Sequence, residues 1–135
     1  MEKSTDTLAN IIIALERAAL EQWNNGNPSA YLELYADEIT YFDPFFEKRL
    51  NGYKQMEEYY ERIRGTVFAD SYDMINPVVQ SSGDIAVLTF NLNSYAGANI
   101  YKWNCTEIYK LDNNKQWKII HTHWSLVMPL ENKNE

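Results

Sequence analysis

The residues best suited to chemistry are polar side chains at positions where the sequence pattern predicts burial. Asp43 ends the apolar, β-prone run 39–42 and precedes Pro44, and strand alternation places it on the same face as Tyr41. A carboxylate in such a setting is costly unless it is paired or takes part in chemistry. Asp43 is therefore a candidate general base for proton abstraction next to a carbonyl. The alternative is a plain turn, because Asp-Pro is a common way to end a strand.

Helices are expected on both sides of Asp43 to position it. Apolar residues spaced three and four apart predict a first helix over 8–23, which Asn25-Gly26 ends. Pro28 begins a second helix that runs to about residue 36. A third helix opens at 51–52 and carries Tyr60 on its buried stripe, where the tyrosine hydroxyl needs a partner.

From Val67 onward the pattern changes to strands, with breaks at 76–77, 81–84, 96–99 and 112–115. Three N-terminal helices followed by a long-stranded, mostly antiparallel sheet indicate an α+β fold. The length suits one domain over 1–135, with a core from about 8 to 127. A strongly curved sheet with helices across its concave side would form a cone with a pocket inside.

The last two long strands indicate which side chains face that pocket. On the first of them, Glu107 shares a face with aromatic residues such as Trp103, which is the pattern of a core-facing side. On the final strand, Ile120 and Trp124 share one face and the His-x-His pair 121–123 shares the other. Both faces of the final strand carry large apolar groups, so we expect a second chain to cover the outer face in a homodimer.

Composition limits the partners and the location. The formal net charge is −7 and no basic stretch interrupts it, so nucleic acid and anionic membranes are poor partners. The ten Tyr, four Trp and five Phe suit a pocket for a small apolar or aromatic molecule. The single cysteine, Cys105, excludes an internal disulfide and fits a reducing compartment. Without a signal peptide or an apolar span, a soluble cytoplasmic protein is expected.

The order of these parts resembles the nuclear transport factor 2-like (SnoaL-like) superfamily. The resemblance rests on the run 34–38 leading to Asp43-Pro44, on the helix that follows Gly52, and on the closing run Trp117–Ser125. It covers the chain from about 8 to 127. Within the superfamily, the run 35–37 and the Asp43-Pro44 ending resemble ketosteroid isomerase. The resemblance implies the cone-shaped fold and a pocket that works without a cofactor.

The same resemblance implies roles for individual residues. Asp43 matches the general base, Tyr60 the helix tyrosine that supports the oxyanion hole, and Glu107 a second carboxylic acid that donates to the oxyanion. The first-helix tyrosine that is the family's main oxyanion donor falls at Ala19, and Glu107 stands where the family has aspartate. The residues expected to contact a ligand are Trp124, Trp23, Ala19, Trp103, Phe90 and Ile120.

Some of these residues have other interpretations. Glu107 alternatively forms a salt bridge with one of three arginines, Arg49, Arg62 or Arg64. The aromatic residues are alternatively core, and Cys105 is read as a small core residue. His121 and His123 could begin a metal site, but two further ligands would be needed, so a role on the dimer face is favoured and no metal is expected.

Three functions are compatible with the sequence. The first is a cofactor-free isomerase, dehydratase or cyclase that acts on an apolar ligand by acid–base chemistry. The second is a pocket that binds a small molecule without catalysis. The third is a dimerisation module, because the closing strand also resembles the association domains of calcium/calmodulin-dependent kinases. The first two require a cavity of several hundred Å³ with Asp43 and Glu107 both open to its interior, and an aromatic plug at that place would exclude both.

Overall fold

Three helices and six strands make up the part of the chain that the structure, a computed structural model, describes: residues 2–128. The helices are α1 (Glu2–Trp23), α2 (Ser29–Leu34) and α3 (Tyr53–Ile63). The strands are β1 (Tyr35–Phe42), β2 (Leu50–Asn51), β3 (Ser71–Ser82), β4 (Ile85–Ala96), β5 (Asn99–Leu111) and β6 (Trp117–Leu126). The predicted α+β class is confirmed.

One six-stranded sheet holds all the strands, in the order β2-β1-β6-β5-β4-β3. Strands β3 to β6 form an antiparallel meander, and β1 joins its edge by pairing parallel to β6, with Tyr41 opposite Thr122. The predicted mostly antiparallel sheet is confirmed. Because β1 lies beside the closing strand β6, Asp43, which directly follows β1, lies next to the C-terminal part of the sheet.

The helices bury their apolar stripes as the spacing predicts. In α1 the residues Ile12 and Leu20 are buried, and α3 buries Met56 and Tyr60. Together with sheet residues such as Leu88 they form one hydrophobic core, in keeping with a cone whose concave side the helices cover. None of the helices within residues 2–128 has the length and apolar character that crossing a membrane requires.

The predicted turns at 81–84, 96–99 and 112–115 separate the long strands of the structure. The predicted break at 76–77 is wrong. Those residues lie inside β3, where the pairing with β4 shifts register between Ile75 and Val78. The irregularity is a β-bulge, and Asn76 adopts a positive φ of 52° there. A bulge bends the strand without ending it.

A second register shift changes which residues of β6 face inward. Ile108 of β5 pairs with His121, and the next residue, Tyr109, pairs with Ile119, so Ile120 is the extra residue. Ile119 is consequently fully buried while Ile120 is only partly buried. The predicted inward face is therefore wrong at Ile120.

The facing predicted for β1 is confirmed. Tyr41 and Asp43 are buried on the inner side, whereas Phe42 is exposed and packs against His121 and His123 on the outer face. The two histidine rings are 6.4 Å apart, and His121 Nδ1 lies 2.7 Å from the hydroxyl of Thr40. The His-x-His pair thus lies outside the cone, as predicted.

Candidate functional site

A cavity of about 520 Å³ lies between the helices and the concave face of the sheet. That volume is in the range of sites that enclose a small organic molecule. Five of the residues predicted to form a site line it: Asp43, Tyr60, Trp23, Trp103 and Trp124. They come from α1, α3 and the strands β5 and β6 and from the end of β1, so the cavity exists only in the complete fold.

The other four predicted site residues do not line the cavity. Ala19 is buried within the hydrophobic core, and Phe90 lies behind the cavity wall, with its ring edge-on to Trp124 at 5.8 Å. Ile120 is displaced by the β6 bulge. Glu107 is fully buried, and it pairs with another carboxylate.

Asp43 is held by three hydrogen-bond donors. The hydroxyls of Tyr41 and Tyr59 donate to Oδ2 at 2.8 and 2.9 Å, and the backbone N–H of Phe45 donates to Oδ1 at 2.8 Å. A carboxylate has about four acceptor positions, so one position on Oδ1 remains open. Asp43 is only 8% exposed, and it is the one charged side chain among the described residues of the lining.

Local sequence explains how this carboxylate is positioned. Tyr41 precedes Asp43 by two residues, so alternation puts both side chains on one face of β1. Pro44 lets the chain turn back, which brings the N–H of Phe45 onto the aspartate in an Asx-type turn. Tyr59 reaches it from α3. Neither rotation of the side chain nor a slip of the strand can occur without breaking these bonds.

Tyr60 presents a second polar group to the cavity. Its hydroxyl lies 2.7 Å from the hydroxyl of Tyr35, which is buried beside it. Burial raises the pKa of both tyrosines, so both remain neutral donors at ordinary pH. If Tyr35 donates to Tyr60, the proton of Tyr60 is available to an oxygen atom of a ligand.

Beneath the cavity floor, two glutamates meet in the core. Glu16 of α1 and Glu107 of β5 are both fully buried. The hydroxyls of Tyr31 and Tyr109 donate to the two oxygens of Glu16 at 2.6 and 2.7 Å. Thr122 donates to Oε2 of Glu107 at 2.9 Å, while Oε1 of Glu107 accepts no hydrogen bond. A proton held by Glu107 and donated to Glu16 satisfies that remaining oxygen.

The environment favours this assignment of the proton. Burial, and next the negative charge of Glu16, raise the pKa of Glu107 well above its ordinary value. Two carboxylates with oxygens within 4.8 Å of each other in the core cannot both ionise without a large electrostatic cost. The proton of Glu107 is therefore retained beside Glu16, and Glu107 does not line the cavity. No arginine pairs with Glu107 in the described residues, so the alternative of a salt bridge is wrong.

Cys105 lies beside Glu16 and Glu107, and it does not change the assignment of the proton to Glu107. One ligand atom each of Glu16, Cys105 and Glu107 lies within 4.8 Å of the others, a grouping that a metal ion could bridge. Both oxygens of Glu16 already accept tyrosine protons, and burial raises the pKa of the Cys105 thiol, which keeps it protonated. A shared proton accounts for these contacts more simply than a metal does. Cys105 is buried as a small core residue, as predicted.

Aromatic rings surround the mouth of the cavity. Phe45, Phe68 and Tyr101 line it and are also exposed to solvent, with 68% of Phe45 accessible. Phe68 packs on Gly26, where a Cβ atom would lie only 2.8 Å from the ring. The entrance is consequently apolar, and Gly26 allows the approach of Phe68.

Comparison with known proteins identifies the family of this chain. The family model of the SnoaL-like domain matches residues 12–130. The chain belongs to this family. This SnoaL-like protein is 48% identical to a candidate ketosteroid isomerase from Parabacteroides distasonis, with a TM-score of 0.81 over 89% of this chain and 88% of that one. A comparison with curated proteins finds no significant match.

More distant structures share the fold of this SnoaL-like protein. An NTF2-like protein of unknown function from Pseudomonas putida is 20% identical, with a TM-score of 0.81 over 93% of this chain and 91% of that one. The CaMKII hub of S. rosetta is 18% identical, with a TM-score of 0.68 over 86% of this chain and 94% of that one. At these identities the likeness shows the fold alone.

Sequence reasoning missed two residues that shape the site of this SnoaL-like protein. Glu16 gave a usable signal, because it lies four residues after Ile12 and four before Leu20 on the buried stripe of α1. A charged residue on a buried helix stripe indicates that a polar partner is buried beside it. Tyr59 gave none, since it lies beside the α3 stripe and its contact with Asp43 depends on how α3 docks against β1.

Proposed function

We propose that this protein binds a small, largely apolar or aromatic molecule in the cavity, with Asp43 as the polar anchor. The observation that carries the proposal is the orientation of Asp43, which three donors fix in a cavity otherwise lined by uncharged and mainly aromatic residues. Binding sites for small molecules combine such apolar walls with a few fixed polar groups. Burial of ligand surface supplies affinity at roughly 25 cal/mol per Å² before the costs of association.

Tryptophan fluorescence tests this proposal directly. Trp23, Trp103 and Trp124 line the cavity, whereas Trp117 does not. A panel of steroids, aromatic polyketides and naphthyl compounds should include molecules that quench the emission and raise the melting temperature. Ligand at a hundredfold excess over its Kd stabilises the fold by about 2.7 kcal/mol.

Matched variants locate the binding. Trp124→Phe and Trp103→Phe should each reduce the quenching, and Trp117→Phe should leave it unchanged. A melting temperature that no member of the panel shifts would overturn the proposal. Quenching that disappears only in Trp117→Phe would place the ligand elsewhere.

A second candidate is a cofactor-free isomerase, dehydratase or cyclase. It is favoured by the open acceptor position on Asp43 Oδ1 together with the Tyr35–Tyr60 hydroxyl pair in the same region. Asp43 would take a proton from the ligand while Tyr60 donates to the oxygen on which charge develops. Glu107 has no part in this scheme, because it does not line the cavity. The name of the Parabacteroides distasonis protein supports the same reaction class.

Deuterium exchange separates catalysis from binding. In D₂O, the enzyme hypothesis predicts that the protein exchanges the protons next to the carbonyl of a bound unsaturated ketone, detected by NMR. Asp43→Asn should abolish exchange while the ketone still binds, and Tyr60→Phe should slow it by roughly a hundredfold. Exchange that survives Asp43→Asn would exclude Asp43 as the base, and binding without any exchange supports the first proposal.

We further propose a homodimer through the outer face of the sheet. Phe42, Ile75 and Val78 are exposed large apolar residues on strands of that face. Light scattering should give twice the mass of the chain, and Phe42→Asp should lower it towards the monomer. Lys54→Asp, on the exposed side of α3, is the control that should leave the mass unchanged. A monomer at micromolar concentration would contradict the proposal.

A further inference from the structure

The charge of Asp43 has no opposite charge within the cavity. Its three donors are two neutral hydroxyls and a peptide N–H. The basic residues Lys48, Arg49 and Arg62 line a separate surface pocket on the other side of Phe45 and Tyr59. Among the described residues, the only ion pair joins Arg64 to Glu61, away from the cavity lining. The cavity therefore presents a single, uncompensated negative charge.

Such a charge is stabilised further by a cation. Hydrogen bonds from neutral groups orient a buried carboxylate and offset part of its lost hydration, and a positive partner offsets more. One acceptor position on Oδ1 of Asp43 is still open, as the hydrogen bonds show. A ligand that donates an N–H from a positively charged nitrogen would supply both a proton donor and the missing charge.

The aromatic rings near Asp43 also favour a positively charged group in the ligand. Tyr41 and Tyr59 both touch the carboxylate, and their ring centroids are 6.0 Å apart. Phe45, whose N–H binds Asp43, packs on Trp103 at 6.2 Å. The faces of aromatic rings attract cations and repel anions. With a net charge of −7, the whole protein also attracts cations at longer range.

From these contacts we infer that the ligand of this cavity is an amine: a protonated primary, secondary or tertiary ammonium group on an apolar, ring-bearing body. The ammonium binds Asp43 and the body fills the space between Trp23, Trp103 and Trp124. A quaternary ammonium fits less well, because it has no N–H for the open acceptor position. The inference rests on the proposed binding function and narrows it to one class of ligand. An ammonium on Asp43 also occupies the position that a general base needs, so this ligand is bound and not deprotonated at carbon.

Three naphthyl probes of matched shape test the inference. Naphthylethylamine is cationic at neutral pH, naphthylethanol is neutral, and the carboxylate of naphthylacetic acid is anionic. Titration of the whole protein, followed by tryptophan quenching and calorimetry, should give the amine a Kd roughly tenfold to a hundredfold below that of the alcohol. The carboxylate of naphthylacetic acid should bind more weakly than the alcohol.

Two variants of equal charge change assign the preference to a residue. Asp43→Asn should abolish the preference for the amine. Asp73→Asn should keep it, because Asp73 also accepts a tyrosine hydroxyl, from Tyr95, but lies outside the cavity lining. A preference for the amine that survives in Asp43→Asn would overturn the assignment.

The wild-type titrations are decisive even if Asp43→Asn does not fold. Equal Kd values for amine and alcohol would refute the amine inference and leave the binding function standing. Failure of all three probes to bind would refute the amine inference, while the binding function would fall only if the whole panel also failed to bind. Tighter binding of the carboxylate than of the amine would refute the inference outright.

Discussion

Replacing Glu107 with glutamine should change how the stability of the fold depends on pH. Burial, followed by the charge of Glu16, raises the pKa of Glu107 in the folded protein above the ordinary 4.5. The folded state therefore holds one proton more than the unfolded state at every pH between 4.5 and the raised value. Across that window the free energy of unfolding falls by about 1.4 kcal/mol per pH unit as pH rises. Below it, Glu107 contributes no pH dependence.

Glutamine is suited to the position because it copies the protonated acid. Its amide oxygen can accept from Thr122, and its NH₂ group can donate to Glu16 in place of the shared proton. It does not titrate, so the slope that Glu107 causes should vanish. Relative to wild type, the variant should gain stability steadily as pH rises above 4.5, until the raised pKa of Glu107 is passed. A total stability of about 5–15 kcal/mol makes a change of that size easy to measure.

Urea unfolding across that pH range is the assay. Exposed Glu57 gives the control, since Glu57→Gln on the surface of α3 should keep the wild-type slope. Glu16→Gln should behave differently, because it removes a charge that two tyrosine hydroxyls stabilise. We expect it to lower the free energy of unfolding by about 2–4 kcal/mol. Parallel curves for wild type and Glu107→Gln would refute the shared proton.

Three further outcomes are expected, all by urea unfolding. Thr122→Val removes the donor that lowers the pKa of Glu107, so the descending part of the wild-type pH curve should extend to higher pH. Gly26→Ala should lower the free energy of unfolding by about 1–3 kcal/mol more than Gly97→Ala does. Both glycines have positive φ, but only at Gly26 would a Cβ atom meet the Phe68 ring. Equal losses of stability in the two variants would rule out that contact. Tyr59→Phe removes a donor to buried Asp43 and should cost about 1.5–3 kcal/mol, whereas Tyr95→Phe, which frees exposed Asp73, should cost under about 1 kcal/mol.

The predictable parts of this fold are those that local periodicity determines. The apolar spacing of α1 and α3 and the alternation of Tyr41, Phe42 and Asp43 depend only on which face is buried, and the structure bears them out. The position of Asp43 at the cavity could be inferred because the Asp-Pro pair ends a strand in the sequence itself. Two of its three donors could not, since one comes from the docking of α3 and the other from the turn after Pro44.

The remaining errors arise from contacts between distant segments. The bulge at Ile120 depends on the pairing of β6 with β5, and the alternating sequence of β6 does not predict it. Glu107 was assigned to the cavity because its strand face is correct, but Glu16 of α1 lies beside it in the core, held by Tyr31 of α2 and Tyr109 of β5. Tyr109 and Glu16 are 93 residues apart, a separation over which single-sequence patterns carry no information.

The parallel pairing of β1 with β6 has a consequence for how the protein folds. Thr40 and His121 meet across 81 residues, whereas the hairpins between β3 and β6 join near neighbours. Contacts between distant residues form late, because closing a long loop costs entropy before any contact rewards it. The hairpins can therefore assemble while β1 is still unattached, and the pocket around Asp43 takes shape only in the last step. A bound ligand would stabilise the docked position of β1. Pulse-labelled hydrogen exchange should show that the amides of β1 become protected after those of β4.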